Sequence, residues 1–233
     1  MPAAFVQAKS NSGAEGTTTI AVTFDSNVVA GNTIVLSWFN DNQTNNLDTV
    51  TDNLGNSYAA IDGLNSNLTD GGSQYAANIV GGSCTVTVTF TGTAGFRGVI
   101  AHEISGVSTT PLDVNPAQAQ LTPGTGTDAV TSGGDTPSVD GCYIFGATWT
   151  TDGATGHSIT QGTGFTARQT ITDAPNFIKA MSEDQVQAVA ASIAATFTIS
   201  VAHSMMTFMV ALKPTTVVIA PIPATPLVGN LRW

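Results

Sequence analysis

Polar and apolar residues alternate along two short segments of the chain. In segment 18–24 every second residue from Ile20 onwards is aliphatic or aromatic, and segment 84–90 repeats the pattern with threonine in between. A period of two is typical of a β-strand with one buried and one solvent-exposed face. Threonine suits the exposed face because its branched Cβ stiffens the side chain while its hydroxyl contacts water. The pattern therefore predicts two half-buried strands.

Three further segments, 33–39, 142–149 and 205–212, are apolar at nearly every position. Such runs predict central strands, or strands covered on both faces by a second sheet or a neighbouring molecule. Shorter strands are predicted between turns and loops rich in glycine, asparagine and aspartate. The predicted short strands are 47–50, 57–61 and 74–80, and the predicted long loops are 41–46, 62–72, 122–139 and 152–164. Only 182–195 has any helical character, and its β-branched residues argue against a helix.

The spacing of the predicted strands indicates an internal repeat. Val86 follows Ile34 by 52 residues, and Phe197 follows Ile144 by 53 residues. Because the two distances are nearly equal, each part of the chain is predicted to have a central strand, then hairpins and loops, and then a closing pair of strands. We therefore expect two halves of similar structure.

These halves, about 17–121 and 140–213, are predicted to contain four to five strands each. Two such halves facing one another predict an all-β fold, a jelly-roll-like antiparallel β-sandwich over residues 1–213. Two separate small domains, with 122–139 as the linker, are the alternative.

Composition limits the class of protein further. Only 9% of residues are charged, against a usual share of about a quarter, while 42% are hydrophobic and 36 are threonine. The chain is too apolar to be disordered, and the scarcity of Glu, Lys and Arg argues against long helices. The net charge is −10, and the six basic residues are scattered. Nucleic acid and anionic membranes attract clustered basic residues, so neither is an expected partner.

Two cysteines, Cys84 and Cys142, could form at most one disulfide. The N-terminal residues lack the basic region and apolar run of a secretion signal, and no apolar stretch has the length of a membrane span. Buried free thiols are therefore favoured over a disulfide.

Residues 214–233 differ in character from the rest of the chain. Pro221, Pro223 and Pro226 exclude a helix and favour an extended path. The segment is also too apolar for a flexible linker, so we expect it to dock, either on its own sandwich or, as the favoured alternative, on a neighbouring subunit. The predicted partner-binding residues of this C-terminal arm are Val217, Val218, Ile219, Ile222, Leu227, Val228, Leu231 and Trp233.

No catalytic constellation is visible in the sequence. His102 and Glu103 suggest the start of a metalloprotease motif, but no second histidine follows at the required spacing. In a strand these two side chains point to opposite faces, so they cannot share a ligand. His157 and His203 have no adjacent nucleophile, and nucleophile-elbow and phosphate-loop motifs are absent. We therefore expect no enzymatic activity and no cofactor.

Two kinds of ligand site are weakly indicated. Asp41, Asn45 and Asp48 supply oxygen ligands of the type that calcium prefers, although turn capping explains the same residues without a metal. Carbohydrate binding would need exposed aromatic side chains, for which Tyr58 and Tyr75 are the best candidates. Trp38 and Trp149 end apolar strands and are expected in the core.

A resemblance to a known group of proteins rests on four segments. They are VTDNLGNSY at 50–58, TVTVTF at 85–90, HEISGV at 102–107 and LDV at 112–114. This arrangement resembles β-sandwich proteins of tailed bacteriophages and bacteria, over roughly residues 17–212. The resemblance implies the fold, but the group has no uniform function and no functional residue is carried over from it.

The expected function is that of a structural protein of a bacteriophage virion. An uncharged hydroxyl-rich surface, an apolar arm and an acidic net charge favour an exterior capsid decoration (cement) protein that forms a homo-oligomer, contacts other capsid proteins, or does both. Such a protein is made in the host cytoplasm and ends on the virion exterior. The alternative is a lectin-like or receptor-binding module of a tail fibre or a secreted protein.

Overall fold

The structure is a computed structural model, and it describes residues 2–42, 46–66, 69–93, 95–120, 128–150, 157–173, 175, 178–201 and 203–215. Every regular element among these residues is a β-strand, and all strand pairs are antiparallel. The prediction of an all-β antiparallel sandwich fold is therefore confirmed. The weakly helical segment 182–195 is divided between a strand and a loop.

The first half of the chain folds as a sandwich of two sheets. Its strands are β1 (Ala4–Gly13), β2 (Thr19–Thr23), β3 (Thr33–Asn40), β4 (Leu47–Asp52), β5 (Ala59–Ser66), β6 (Thr69–Ala76), β7 (Thr85–Phe90) and β8 (Arg97–Ser105). Five of them form the first inner sheet in the order β1-β8-β3-β6-β5, and three form the first outer sheet in the order β2-β7-β4. The pairing is nested, since the first strand pairs with the eighth, the second with the seventh and the third with the sixth.

The second half repeats this order strand for strand. After β9 (Val107–Leu112) come β10 (Ala117–Gln120), β11 (Asp128–Thr131), β12 (Cys142–Thr150), β13 (Ile159–Gln161), β14 (Thr166–Asp173), β15 (Ile178–Gln187), β16 (Thr196–Ile199) and β17 (Met205–Pro214). The second inner sheet has the order β10-β17-β12-β15-β14, with β9 also pairing with β17, and the second outer sheet has the order β11-β16-β13. Equivalent strands β5 and β14 even carry a bulge at the same place. Among the described residues, each half therefore has eight strands, where four to five were predicted.

Each sandwich has its own core between its outer and inner sheets. In the first, Val86 and Val88 of β7 pack against Leu36 and Trp38 of β3. In the second, Phe197 of β16 takes the place of the β7 residues. The threonines that alternate with the core residues of β2 and β7 face outwards, as the period of two predicts.

The two inner sheets pack face to face, and we call this contact the seam. Val35 and Phe145 lie in one apolar cluster of the seam, and Phe39 and Trp149 lie in another. The rings of Phe39 and Trp149 stack with their centroids 5.7 Å apart. The inner strands are therefore covered on both faces, which explains why 33–39, 142–149 and 205–212 are apolar throughout. The molecule has four layers of sheet.

Both tryptophans are buried, as expected, but they are not equivalent in the repeat. Trp38 faces the core of its own sandwich, whereas Trp149 faces the seam. The residue at the end of β3 that faces the seam is Phe39. In the repeat, Trp149 therefore corresponds to Phe39 and not to Trp38.

The predicted loop 62–72 is wrong, because most of it is the hairpin of β5 and β6. Its aspartates and glycines suggest turns, but Gly71 and Gly72 are needed for close packing inside the sheet. A Cβ on Gly72 would lie 2.6 Å from the carbonyl oxygen of Asp62, and one on Gly71 would lie 3.2 Å from Sδ of Met206. Strands β1, β14 and β15 also have no counterpart among the predicted strands.

Candidate functional site

A chain of buried polar side chains crosses the seam. His102 of β8 places Nε2 2.8 Å from Oγ of Ser182 on β15, and Nδ1 3.2 Å from the hydroxyl of Tyr143 on β12. All three residues are fully buried. Hydrogen bonds therefore join the first sandwich to the second within a layer that is largely apolar.

An ion pair lies at the end of this network. The hydroxyl of Tyr143 donates to Oδ2 of Asp184 at 2.5 Å, and Nε of Arg168 donates to Oδ1 of the same carboxylate at 2.7 Å. The Arg168 guanidinium lies 3.7 Å from the centroid of the Phe5 ring, which belongs to the other sandwich. Burial raises the pKa of the Tyr143 hydroxyl, and the Asp184 charge adds to the effect, so the hydroxyl stays a donor.

The pair of Ser182 and His102 has the contact of a nucleophile with a general base, but its surroundings remove that chemistry. Burial, together with the positive charge of Arg168, lowers the pKa of His102 to about 3, so the imidazole is neutral and a poor base. Both residues have no exposed surface, so a substrate cannot reach the hydroxyl. What the arrangement does is fix the alignment of the two sandwiches, because each buried polar group has its partner only in one register.

The residues that form this network with His102 were not predicted from the sequence. They come from β12, β14 and β15, which are 41 to 82 residues away along the chain. One signal was present, since Ser182, Glu183 and Asp184 are three consecutive polar residues within a buried strand. Polar groups on both faces of a covered strand need partners, and such a run predicts a buried network.

Glu103 lies on the opposite face of β8 from His102, as strand geometry predicts. Its carboxylate accepts hydrogen bonds from Nε2 of Gln7 at 2.7 Å, from the backbone N–H of Val29 at 2.7 Å and from Nδ2 of Asn32 at 2.6 Å. The residue is fully buried. Glu103 therefore connects the loop before β3 to β1 and β8. Both of its carboxylate oxygens accept hydrogen bonds within the fold.

Glu183 has the same kind of task in the second sandwich. Its carboxylate accepts hydrogen bonds from the backbone N–H groups of Gly162 at 2.7 Å and Thr196 at 3.1 Å. Burial raises its pKa to about 7 despite these hydrogen bonds. Glu183 thus holds the strands of the second outer sheet against β15.

The motif VTDNLGNSY is a turn built around Asp52. The Asp52 carboxylate accepts hydrogen bonds from the backbone N–H groups of Leu54 and Asn56, at 2.9 and 3.1 Å, and from the hydroxyl of Tyr58 at 2.9 Å. Burial alone would raise the pKa of Asp52, but these hydrogen bonds and that of the Asn56 amide outweigh burial, and the pKa is lowered. The motif that carries the resemblance is therefore structural.

Neither carbohydrate-binding candidate is exposed. Tyr58 is half-buried against the first core with its hydroxyl on Asp52, and Tyr75 is half-buried against the seam. The two tyrosines therefore pack against different apolar clusters and present no shared aromatic platform.

Cys84 and Cys142 are free, fully buried thiols, so the prediction of free thiols is confirmed. Sγ of Cys84 lies 3.8 Å from Oδ2 of Asp52, and Sγ of Cys142 lies 3.7 Å from Oδ2 of Asp113. Burial, together with these carboxylates, raises the pKa of Cys84 to about 12 and that of Cys142 to about 11. Both thiols are therefore protonated and unreactive at neutral pH.

The calcium candidates do not form a described site. Asp41 is half-buried, Asp48 is exposed, and Asn45 lies outside the described residues. Burial raises the pKa of Asp41 to about 6. Within the described part of the chain, no three His, Cys, Asp or Glu side chains are grouped so that they could hold a metal ion.

The remaining two histidines come together in space. The rings of His157 and His203 have centroids 4.8 Å apart, and His157 is buried. The ammonium group of Lys179 donates to the backbone carbonyl of His157. The pair anchors the segments before β13 and β17.

The two sandwiches are aligned along their strands. Val35 near the start of β3 and Phe145 near the start of β12 share one seam cluster, while Phe39 and Trp149 at the ends of these strands share the other. Strands β3 and β12 therefore run in the same direction. The loops that precede both strands consequently lie at the same end of the molecule.

Most of the exposed large hydrophobic side chains that the structure describes lie at this end. Among the described residues, seven large hydrophobic residues are exposed, and only Val201 lies at the opposite end. The other six are Val6, Val29, Val80, Val139, Val186 and Val189. We call the end of the molecule that carries these six residues the valine end. Single exposed valines need no explanation, but their collection at one end of a four-layer molecule favours a contact surface.

The valines occupy equivalent loops of the two sandwiches. Val29 and Val80 lie in loops joined by backbone hydrogen bonds between Val28 and Gly82. Val139 and Val189 lie in the corresponding loops of the second half, where the Asp140 carboxylate accepts a hydrogen bond from the backbone N–H of Ala190. The paired loops are thus held by the fold, with valine on their outer side.

The chain leaves its last described strand at the valine end. After β17, the backbone N–H of Thr215 donates to the carbonyl of Gly106 at 2.8 Å, and its hydroxyl donates to the carbonyl of Val107. The predicted arm residues Val217 to Trp233 lie outside the described residues. Thr215, the residue before this segment, is therefore held in place near the middle of the four layers.

Neither family models, curated proteins nor solved structures match this chain. Among the described residues there is also no helix with the length and apolar character of a membrane span. Function must therefore be argued from the surfaces and residues described above.

Proposed function

We propose that this chain is a non-enzymatic structural protein of a bacteriophage particle, an exterior capsid decoration protein that assembles through the valine end and its C-terminal arm. The observation that carries the proposal is the concentration of exposed valines where the chain continues into its apolar C-terminal segment. The proposed partners are further copies of this chain, other capsid proteins, or both.

The distribution of polar groups supports an assembly role. The apolar faces of the inner strands are covered by the chain's own sheets, which leaves loops and the arm for contacts with neighbours. The conspicuous ionisable residues, His102, Glu103, Glu183 and Asp184, are buried and hydrogen-bonded within the fold. These residues build a rigid body, which is what a decoration protein must supply.

The charge of the chain supports an exterior position. With a net charge of −10 it would be repelled by packaged DNA, whereas an outer surface tolerates acidic charge and gains solubility from it. The outward side of the first outer sheet carries Thr19, Thr23, Thr49 and Thr51, which are exposed and neutral.

Labelling of intact particles tests the proposal. Antibodies raised against the purified chain should decorate intact virions from the source of the sequence in immunogold electron microscopy, and mass spectrometry should find the chain in the same purified particles. Labelling that requires disrupted particles would contradict the exterior position. Absence of the chain from purified particles would contradict the virion role altogether.

A further inference from the structure

We infer that the valine end is the receptor for the C-terminal segment 216–233 of a second copy of this chain, so that two copies exchange arms end to end. This inference rests on the proposed function, since it names the partner and the surface of the proposed assembly. Three observations support it, namely the position of Thr215 at the valine end, the exposed valines at that end and the length of the segment.

The described part of the chain ends at Thr215, at the same end of the molecule as the exposed valines. Thr215 is hydrogen-bonded at the valine end to Gly106 and Val107, where the chain passes from β8 of the first inner sheet to β9 of the second. A second copy placed end to end against this one brings its own arm to the same surface. The contact is then isologous, with each copy giving one arm and receiving one, and it closes without leaving free surfaces.

The length of the segment favours a second copy over the chain itself. Sheets that pack face to face lie about 10 Å apart, so four layers span roughly 30 Å. Residues 216–233 number 18, and at about 3.1 Å per residue in the extended form that their prolines favour they reach roughly 55 Å. From near the middle of the layers to the edge of the valine end is roughly 15 Å, so the extended length of the segment exceeds this distance by more than half of that length. Leu227, Leu231 and Trp233 lie in the distal half of the segment.

Segment 216–233 and the valine end are both rich in aliphatic side chains. The segment has one charged residue, Arg232, and aliphatic side chains in both its first and last thirds. The loops of the valine end present aliphatic side chains from both sandwiches, and Val189 is the most exposed of them at 67%. Burial of aliphatic surface on both partners is the driving force of such a contact.

A truncated chain and a labelled peptide separate the receptor from the arm. Residues 1–215 retain every described strand and every residue of the four apolar clusters, so this truncated chain is expected to fold. The full chain should be a dimer in light scattering after size exclusion, and the 1–215 chain should be a monomer. A fluorescein-labelled peptide of residues 216–233 should bind the 1–215 chain, with binding followed by anisotropy.

Substitutions test the surface. Serine at Val29, Val80, Val139 and Val189 together should weaken peptide binding by at least about tenfold, because each valine loses its buried methyl groups. Val201→Ser is the matched control, since Val201 is 43% exposed at the opposite end, and it should leave binding unchanged. Because all substituted side chains are exposed, the variants should keep the thermal unfolding of the parent. Val189→Ser alone, with a smaller loss of binding, serves if the fourfold variant is unstable.

The outcomes distinguish the inference from the proposed function. Peptide binding that survives the fourfold substitution would overturn the receptor surface, while an oligomer lost on truncation would still support assembly through the arm. A monomeric full chain whose truncated form binds the peptide would show that the arm covers its own valine end, which overturns exchange. An oligomer unchanged by truncation, with no peptide binding, would overturn both the inference and the role of the arm.

Discussion

Replacing His102 with glutamine tests whether the seam network holds a neutral histidine. Glutamine keeps a hydrogen-bonding side chain in the seam but carries no charge at any pH. The wild-type imidazole has a pKa of about 3 in the folded protein, against 6.5 for an unperturbed histidine. Between pH 6.5 and about 3, His102 is therefore protonated in the unfolded chain but neutral in the folded protein. Protons then favour the unfolded state, so the stability of the wild type falls as the pH falls.

The loss of stability at low pH can be calculated from the difference between the folded and unfolded pKa values of His102. Each pH unit between the two pKa values contributes about 1.4 kcal/mol, so lowering the pH from 6.5 to 4 removes about 3 kcal/mol from the wild type and nothing from the variant at this position. The charged and titratable groups that face His102, which are Arg168, Asp184 and Tyr143, are present in both proteins. Their contributions largely cancel in the difference between the two free energies of unfolding.

Urea unfolding at pH 7, 6, 5 and 4 provides the measurement. At pH 7 the variant should be less stable by about 1–3 kcal/mol, because buried hydrogen-bonding groups lose their partners. This deficit should shrink with each lower pH and vanish or reverse near pH 4. A deficit that stays constant within about 0.5 kcal/mol over the whole range would refute the idea that His102 is kept neutral by burial.

Three further predictions address the cores and the sheets. Glu183→Gln should reverse the pH trend, because the folded pKa of about 7 lies above the ordinary value of 4.5 and the wild type loses stability as the pH rises between them; the variant should gain about 3 kcal/mol relative to wild type from pH 4.5 to 7.5 in the same urea assay. Gly72→Ala should destabilise the protein strongly, since its Cβ would meet the carbonyl of the neighbouring strand at 2.6 Å, whereas Gly63→Ala in the same hairpin, with 3.8 Å of space, should change the melting temperature little. Cys84 and Cys142 should resist a thiol reagent in the folded protein at pH 8 and react as two thiols in denaturant, because burial raises the pKa of both; rapid reaction of the native protein would contradict their burial.

Much of the fold could be predicted from the sequence, because the period of the hydrophobic residues and the spacing of the strands can be read directly along the chain. Alternation predicted the half-buried strands β2 and β7, and continuous apolar runs predicted the strands of the seam. Strand spacing indicated the repeat. The number of strands in each half was underestimated, because β1 and β14 are edge strands with mixed polar and apolar residues and give no clear alternation.

The hairpin of β5 and β6 was missed for a different reason. Its glycines are required by the close approach of Trp38, Met206 and Phe208, and only the assembled sheets show this requirement. The seam network was missed because Ser182 and Tyr143 meet His102 only after the two sandwiches have packed. Contacts between distant parts of the chain leave no local pattern, whereas the turn around Asp52 lies within seven residues and could be read directly.

The nested pairing of each sandwich has a consequence for synthesis on the ribosome. The first strand of a half pairs with its eighth, so the inner sheet of the first sandwich cannot close until Arg97–Ser105 has left the exit tunnel. Even then its seam face, with Val35, Phe39 and Ile100, stays uncovered until the second half is made. Because the two halves share one strand order, a waiting half from one nascent chain could pair with the half of another. Contacts this distant in sequence also close slowly, so recovery after unfolding should depend steeply on protein concentration.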